Sequence, residues 1–214
     1  MSGMKVVLAA AVLGMATTSF ADPGITVEPR ESVANLSQAE WSRAWWQWAG
    51  SFDYAESPVA DRTGSSCHLK QSGPVWFLAG TYGTARTIRT CTVPRDKYVF
   101  FPLINYVVMP GADPACVSCC ARFIDKAKAI TDDPSYLILE VDGKRVEALD
   151  KYRQVTPACF DMGALAEPKY RIFPSAANGY YVMLPPLSPG KHVLNFGGAL
   201  PSMSQAVTYT LIVK

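Results

Sequence analysis

From Gly73 onward the apolar residues of this chain recur at every second position, in short runs bounded by turn residues. Alternation of this kind returns side chains to one face of an extended strand, so it dictates strands with a buried side. The runs fall at residues 75–79, 86–93, 98–109 (interrupted by Pro102), 136–141, 145–149, 170–173, 180–184, 192–196 and 206–213. The last is the cleanest, with Val207, Tyr209, Leu211 and Val213 on one face and Thr208 and Thr210 on the other. Asp142-Gly143 is the residue pair that supplies positive φ in a tight hairpin. Pro185-Pro186 and Pro189-Gly190 punctuate the approach to His192.

Two segments switch to helical spacing. Ser37-Gln38-Ala39-Glu40 has the form of a capping box, with Leu36 and Trp41 at the positions of a hydrophobic staple. Trp41, Ala44, Trp45, Trp48 and Phe52 then form one stripe opposite Arg43 and Gln47, and Gly50 is a stop signal. Trp46 falls off that stripe. Farther on, Asp113 is a cap and Pro114 suits a first helical turn. Cys116, Cys119, Cys120, Phe123, Ile124, Ala127 and Ile130 follow on one apolar face. Strands and helices do not alternate regularly, which argues against a doubly wound parallel sheet. The expected fold is mainly β: an antiparallel β-sandwich, jelly-roll or immunoglobulin-like, with an N-terminal amphipathic helix and one inserted cysteine-bearing helix.

The N-terminus reads as a secretory signal peptide at residues 1–21. Lys5 supplies its positive start, Val6 to Met15 is uncharged and apolar, and Ser19-Phe20-Ala21 forms the cleavage site. The apolar run is shorter than the ~20 residues of a membrane span, and no lipoprotein cysteine follows. Residues 22–214 then form a single globular domain, periplasmic or secreted. All six cysteines (Cys67, Cys91, Cys116, Cys119, Cys120 and Cys159) lie in that part, an even number suited to disulfides. Cys67 and Cys91 are expected to pair across the 75–79 strand, with Cys159 as a partner for the 116–120 cluster. The 20 Lys and Arg nearly balance the 18 Asp and Glu, which gives no basic face for nucleic acid.

Complete catalytic sets are hard to assemble from this composition. Only His68 and His192 are available to a Ser-His-Asp or Cys-His arrangement, and no G-x-S-x-G elbow occurs. Cys116-x-x-Cys119 has ligand-like spacing without a second pair, so no metal or cofactor is expected. Glu140-Val141-Asp142 imitates the start of an E-x-D-x-E glycosidase strand, but the third position is Lys144 and Asp142-Gly143 is a turn. Cys116 and Cys119 at a helix start do suit a thiol-disulfide oxidoreductase, because that position favours thiolate. Four of the five tryptophans lie within residues 41–48; Trp46, off the buried stripe, is the candidate ligand-binding residue.

Three stretches resemble an uncharacterised group of exported bacterial proteins of β-sandwich type. They are W-S-R-A-W-W-Q-W at 41–48, G-P-V-W-F-L-A-G with F-F-P between 73 and 102, and G-Y-Y-V-M-L-P-P-L-S-P-G-K-H-V-L-N-F-G-G at 179–198. The resemblance implies a shared secreted fold and carries no activity or site residue with it. The expected function is therefore an exported, non-enzymatic domain that binds a small molecule or a protein, an inhibitor or immunity protein being one version. A periplasmic thiol-disulfide enzyme at Cys116 and Cys119 is the alternative, and a hydrolase using His68 or His192 ranks third.

Overall fold

The computed structural model describes residues 24–111, 119–167 and 170–214. The expected signal peptide, the cap at Asp113 and Pro114, and Cys116 lie outside these residues. The elements run α1 (Gln38–Ala49), β1 (Val75–Phe77), β2 (Thr87–Val93), β3 (Tyr98–Val108), α2 (Cys120–Ile130), β4 (Tyr136–Val141), β5 (Lys144–Arg145), β6 (Arg153–Val155), β7 (Ala176–Leu184), β8 (Gly190–Leu200) and β9 (Met203–Val213). The strands form a four-stranded sheet, β1-β3-β7-β6, and a five-stranded sheet, β2-β9-β8-β4-β5.

One buried cluster takes side chains from both sheets. Phe101, Leu103, Val182 and Leu184 come from the first, and Leu139, Phe196, Tyr209 and Leu211 from the second. The opposite face of the four-stranded sheet is covered by α1, where Trp41, Trp45 and Trp48 pack on Phe77, Phe100, Tyr181 and Met183. All nine residues of β7 are buried, because one face meets the helix and the other meets the second sheet. Each of these three indoles also satisfies its N–H on a carbonyl: Trp41 on Val33 (3.0 Å), Trp45 on Leu78 (2.9 Å) and Trp48 on Leu69 (3.1 Å). The capping box at Ser37 and Glu40 is formed in both directions, and α1 ends at Gly50.

The strand pattern of β9 is as expected, with Val207, Tyr209, Leu211 and Val213 inward. Asp142 and Gly143, at φ 51° and 77°, make the β4–β5 turn. The expectation of purely antiparallel sheets needs correction. β1 pairs with β3, and β2 with β9, in parallel. The cause is that the chain changes sheets after β1 and again after β2, so neither β1 nor β2 pairs with the strand next to it in sequence. Residues 170–173 also form no strand, and the run expected at 145–149 shortens to two residues before a 3₁₀ turn at Leu149–Tyr152.

Two disulfides join distant segments. Cys67–Cys91, paired as expected, ties the loop before β1 to β2; Cys120–Cys159 ties the start of α2 to the loop after β6. No helix among the described residues is long and apolar enough to cross a membrane.

Candidate functional site

A cavity of about 240 Å³ opens where the C-terminal half of α1, the segment after β1 and the β8–β9 turn converge. Its walls include Trp45, Trp46, Tyr82, Asn105, Ser204 and Gln205, and none of its lining residues carries a charge. Trp46 reaches it because helical geometry turns it away from the stripe that Trp45 and Trp48 bury. It is not the spare, exposed ring that its position suggested. It is half-buried, stands edge-on to Trp45 with ring centres 5.0 Å apart, and donates its Nε1–H to the Tyr181 hydroxyl at 2.8 Å.

That hydroxyl organises the back of the cleft. Tyr181 is fully buried on β7, and Asn105 Nδ2 on β3 also donates to it, at 3.1 Å. Burial holds the phenol well above its ordinary pKa against these two donors, so it stays protonated. Asn105 is 8% exposed, and its side-chain oxygen, to which no N–H or O–H of the described residues donates, faces the cavity and not the sealed core. Such an acceptor in a cleft wall is unsatisfied until a ligand or water supplies a donor.

The rim is braced from below. The pairing of β3 with β7 slips between Pro102 and Ile104, and Gln205 on β9 repairs the break by donating to the carbonyls of Pro102 (2.8 Å) and Leu103 (2.6 Å). Its Oε1 accepts from Thr81 N–H at 3.2 Å. Gly80 lies so close that a Cβ there would come 2.3 Å from Gln205 Oε1, which is why a side chain is absent at this position. Arg89 of β2, 1% exposed, spreads its guanidinium over the carbonyls of Val59, Asp61, Ala79 and Gly80.

The histidines are separated from this cleft. His68 is exposed in a turn. His192 lies between Asp142 and Ser188, which superficially resembles a catalytic triad. Its Nδ1 is 2.7 Å from Asp142 Oδ2, but its Nε2 is 2.8 Å from the Ser188 carbonyl and 3.4 Å from the Ser188 hydroxyl. A ring that donates from both nitrogens is a cationic clip and has no lone pair to offer as a general base. Partial burial disfavours the charge, but the Asp142 hydrogen bond, the Ser188 carbonyl and the Asp142 charge outweigh it and hold the His192 pKa above 6.5. Burial likewise opposes ionisation of Asp142, but its bonds to His192 and Val193 N–H hold its pKa below 3.8.

The sign of the pH effect follows. His192 stabilises fully below its unfolded value of 6.5 and loses that contribution as pH rises through its higher folded pKa. Asp142 stabilises above 3.8 and fails as pH falls through its lower folded pKa. Because the pair is partly exposed, His192→Asn should lower stability by no more than about 1 kcal/mol near pH 5.5, and by almost nothing near pH 9. Thermal melts of both proteins across this range check the difference; a gap that widens at high pH would contradict the clip.

At α2, Cys119 occupies the N-cap position, is disulfide-bonded, and lies 3.1 Å from Arg122 Nη2. Tyr181, Asn105, Gln205 and Tyr82 were not singled out by sequence reasoning, since each comes from a different segment. Alternation carried a signal for two polar residues: the pattern that buries Cys91 and Val93 also turns Arg89 inward, and the one that buries Val207 and Tyr209 turns Gln205 inward. Searches with this chain against family models, curated proteins and solved structures found no match.

Proposed function

We propose that this chain is an exported, non-enzymatic binding domain on a β-sandwich scaffold, periplasmic or secreted, that holds a small neutral ligand in the cleft beside Trp46. The uncharged cavity, with the Asn105 side-chain oxygen in its wall open to accept from a ligand or water, carries the reading. The core cluster common to both sheets supports the sandwich, and two long-range disulfides support an oxidising compartment. Trp46 is the ligand-facing residue. Trp46→Ala would also remove packing on Trp45, so the informative variant is Trp46→Phe, which keeps a ring and deletes the donor to Tyr181.

Screening neutral small molecules by NMR tests this directly. Compounds that bind should move the Trp46 indole N–H resonance and lose affinity by about tenfold in Trp46→Phe. Hits that leave that resonance in place and bind the variant equally well would put the function elsewhere. An inhibitor or immunity role is the protein-partner version of the same reading. A partner of that kind would cover the rim and leave the Trp46 resonance unmoved.

A second reading, a thiol-disulfide oxidoreductase, draws on Cys119 at a helix N-cap beside the Arg122 guanidinium, both of which favour thiolate. The two readings separate on whether glutathione opens the Cys119 bridge while Cys67–Cys91 and Cys120–Cys159 stay closed.

A further inference from the structure

The cleft has a twin. A second cavity, also of about 240 Å³, lies across the 80–85 segment and is lined by Tyr54, Ala60, Arg62, Gly83 and Thr87 among others. Val59, Thr81 and Tyr82 belong to both walls, so the two cavities are neighbours divided by one ridge. Tyr82 forms that ridge and stacks on Tyr54, with ring centres 5.6 Å apart and planes 22° from parallel. These two rings are 59% and 73% exposed, although the fold buries most of its other aromatic side chains. An exposed aromatic pair kept at the junction of two cavities presents apolar faces to whatever lies across them.

The chemistry of the walls narrows the occupant. The first cavity offers hydroxyls from Thr81, Thr84, Ser202 and Ser204, the free Asn105 oxygen and the indole of Trp46, with no charge. The second adds one cation, Arg62. A ligand suited to this set has flat apolar faces for aromatic rings, many hydroxyl or amide groups for neutral partners, and no net charge. Sugar rings combine these properties, and two adjoining cavities of equal size call for at least two linked rings. Each is near the lower end of ligand cavities, about 300 Å³, which matches one ring apiece.

We propose that the paired cavities form one groove that binds a neutral oligosaccharide, with one ring beside Trp46 and Asn105, the next beside Tyr54 and Arg62, and Tyr82 between them. The inference rests on the cleft reading above and adds the ligand class and the second subsite. Occupying both subsites makes the second contact intramolecular, so a chain should bind more tightly than its monomer.

Calorimetric titration with chitotetraose, cellotetraose and maltotetraose, each against its own monosaccharide, tests it. At least one tetramer should bind, and about tenfold more tightly than its monomer. Tyr54→Ala should remove about that same factor for the tetramer, while the monomer, held beside Trp46, binds nearly as before and the melting temperature hardly moves, since Tyr54 lines only the second cavity and its ring stacks only on Tyr82. Equal affinity for monomer and tetramer would overturn the second subsite. Tighter binding of tetragalacturonate than of any neutral tetramer would overturn the neutral class. If no sugar binds but an uncharged aromatic probe such as indole moves the Trp46 resonance, the oligosaccharide is wrong and the cleft reading survives. If nothing binds, both fall.

Discussion

Replacing Arg89 by methionine should lower the stability of the protein by about 3–5 kcal/mol, although both side chains have unbranched apolar stems. The guanidinium donates through Nε to the Asp61 carbonyl at 2.7 Å and through Nη1 to Ala79 and Gly80, both at 2.8 Å. Nη1 also reaches the Tyr209 hydroxyl at 3.1 Å, and Nη2 the Val59 carbonyl at 3.1 Å. Four backbone carbonyls from two segments thus depend on one side chain that is 1% exposed. Methionine would leave those of Val59, Asp61 and Gly80 without this donor, Ala79 keeping the Tyr209 hydroxyl at 3.3 Å, and each buried orphan costs about 1–3 kcal/mol unless water enters. Arg89→Lys should recover little, because the three N–H donors of an ammonium radiate from one nitrogen and cannot span carbonyls that the planar guanidinium reaches from three separate nitrogens. Chemical denaturation at neutral pH gives the value. A loss under about 1 kcal/mol for Arg89→Met would mean that water replaces the guanidinium at these carbonyls. Val59 and Gly80 also line the first cavity, so ligand affinity should fall together with stability.

The second large effect belongs to Cys67–Cys91. Changing both residues to serine should cost about 3–4 kcal/mol, the loop-closure entropy of a bridge spanning 24 residues. The bridge also fixes the segment from which Gln71 reaches β1. Gln71 Oε1 accepts from Phe77 N–H, and its Nε2 donates to the carbonyls of Phe77 and Cys67. The free edge of β1 is therefore closed by a side chain that mimics a neighbouring strand, and an unfastened loop would leave that edge open to pairing with another chain. Urea melts of the oxidised protein, the reduced protein and the double variant measure both parts. A denaturation midpoint that does not move would remove the bridge from the account of stability.

How far the fold could be read from sequence depends on the distance over which each signal acts. The capping box at Ser37 and the Asp142-Gly143 turn are decided within a few residues, and both are present. The inward face of β9 repeats over eleven residues and needs no partner to be recognised. β6 has only Arg153, Gln154 and Val155, too few to display a period; it is a strand because β7 lies beside it. Residues 170–173 have strand-like composition, but their backbone bonds to the 161–162 segment and not to a sheet: Ile172 N–H donates to Asp161 Oδ1 at 2.8 Å and the Ile172 carbonyl accepts from Met162 N–H at 3.2 Å. For the site, Trp46 stood out by failing to fit its helix stripe. Asn105 and Gln205 looked like ordinary strand polars, since what distinguishes them is a carbonyl or hydroxyl supplied by another element.

The parallel pairing of β2 with β9 sets an order of events during maturation. Thr87 is matched to Val207 and Val93 to Val213, and β9 is the sheet neighbour of β2. A nascent chain that has completed β1 to β8 still has no place for β2, and Cys91 rides on that strand. Such long-range pairing delays closure of the five-stranded sheet until β9 has been synthesised. The five-stranded sheet, and with it the segment that the Cys67–Cys91 bridge holds, thus acquires its rigidity only when the last strand has joined.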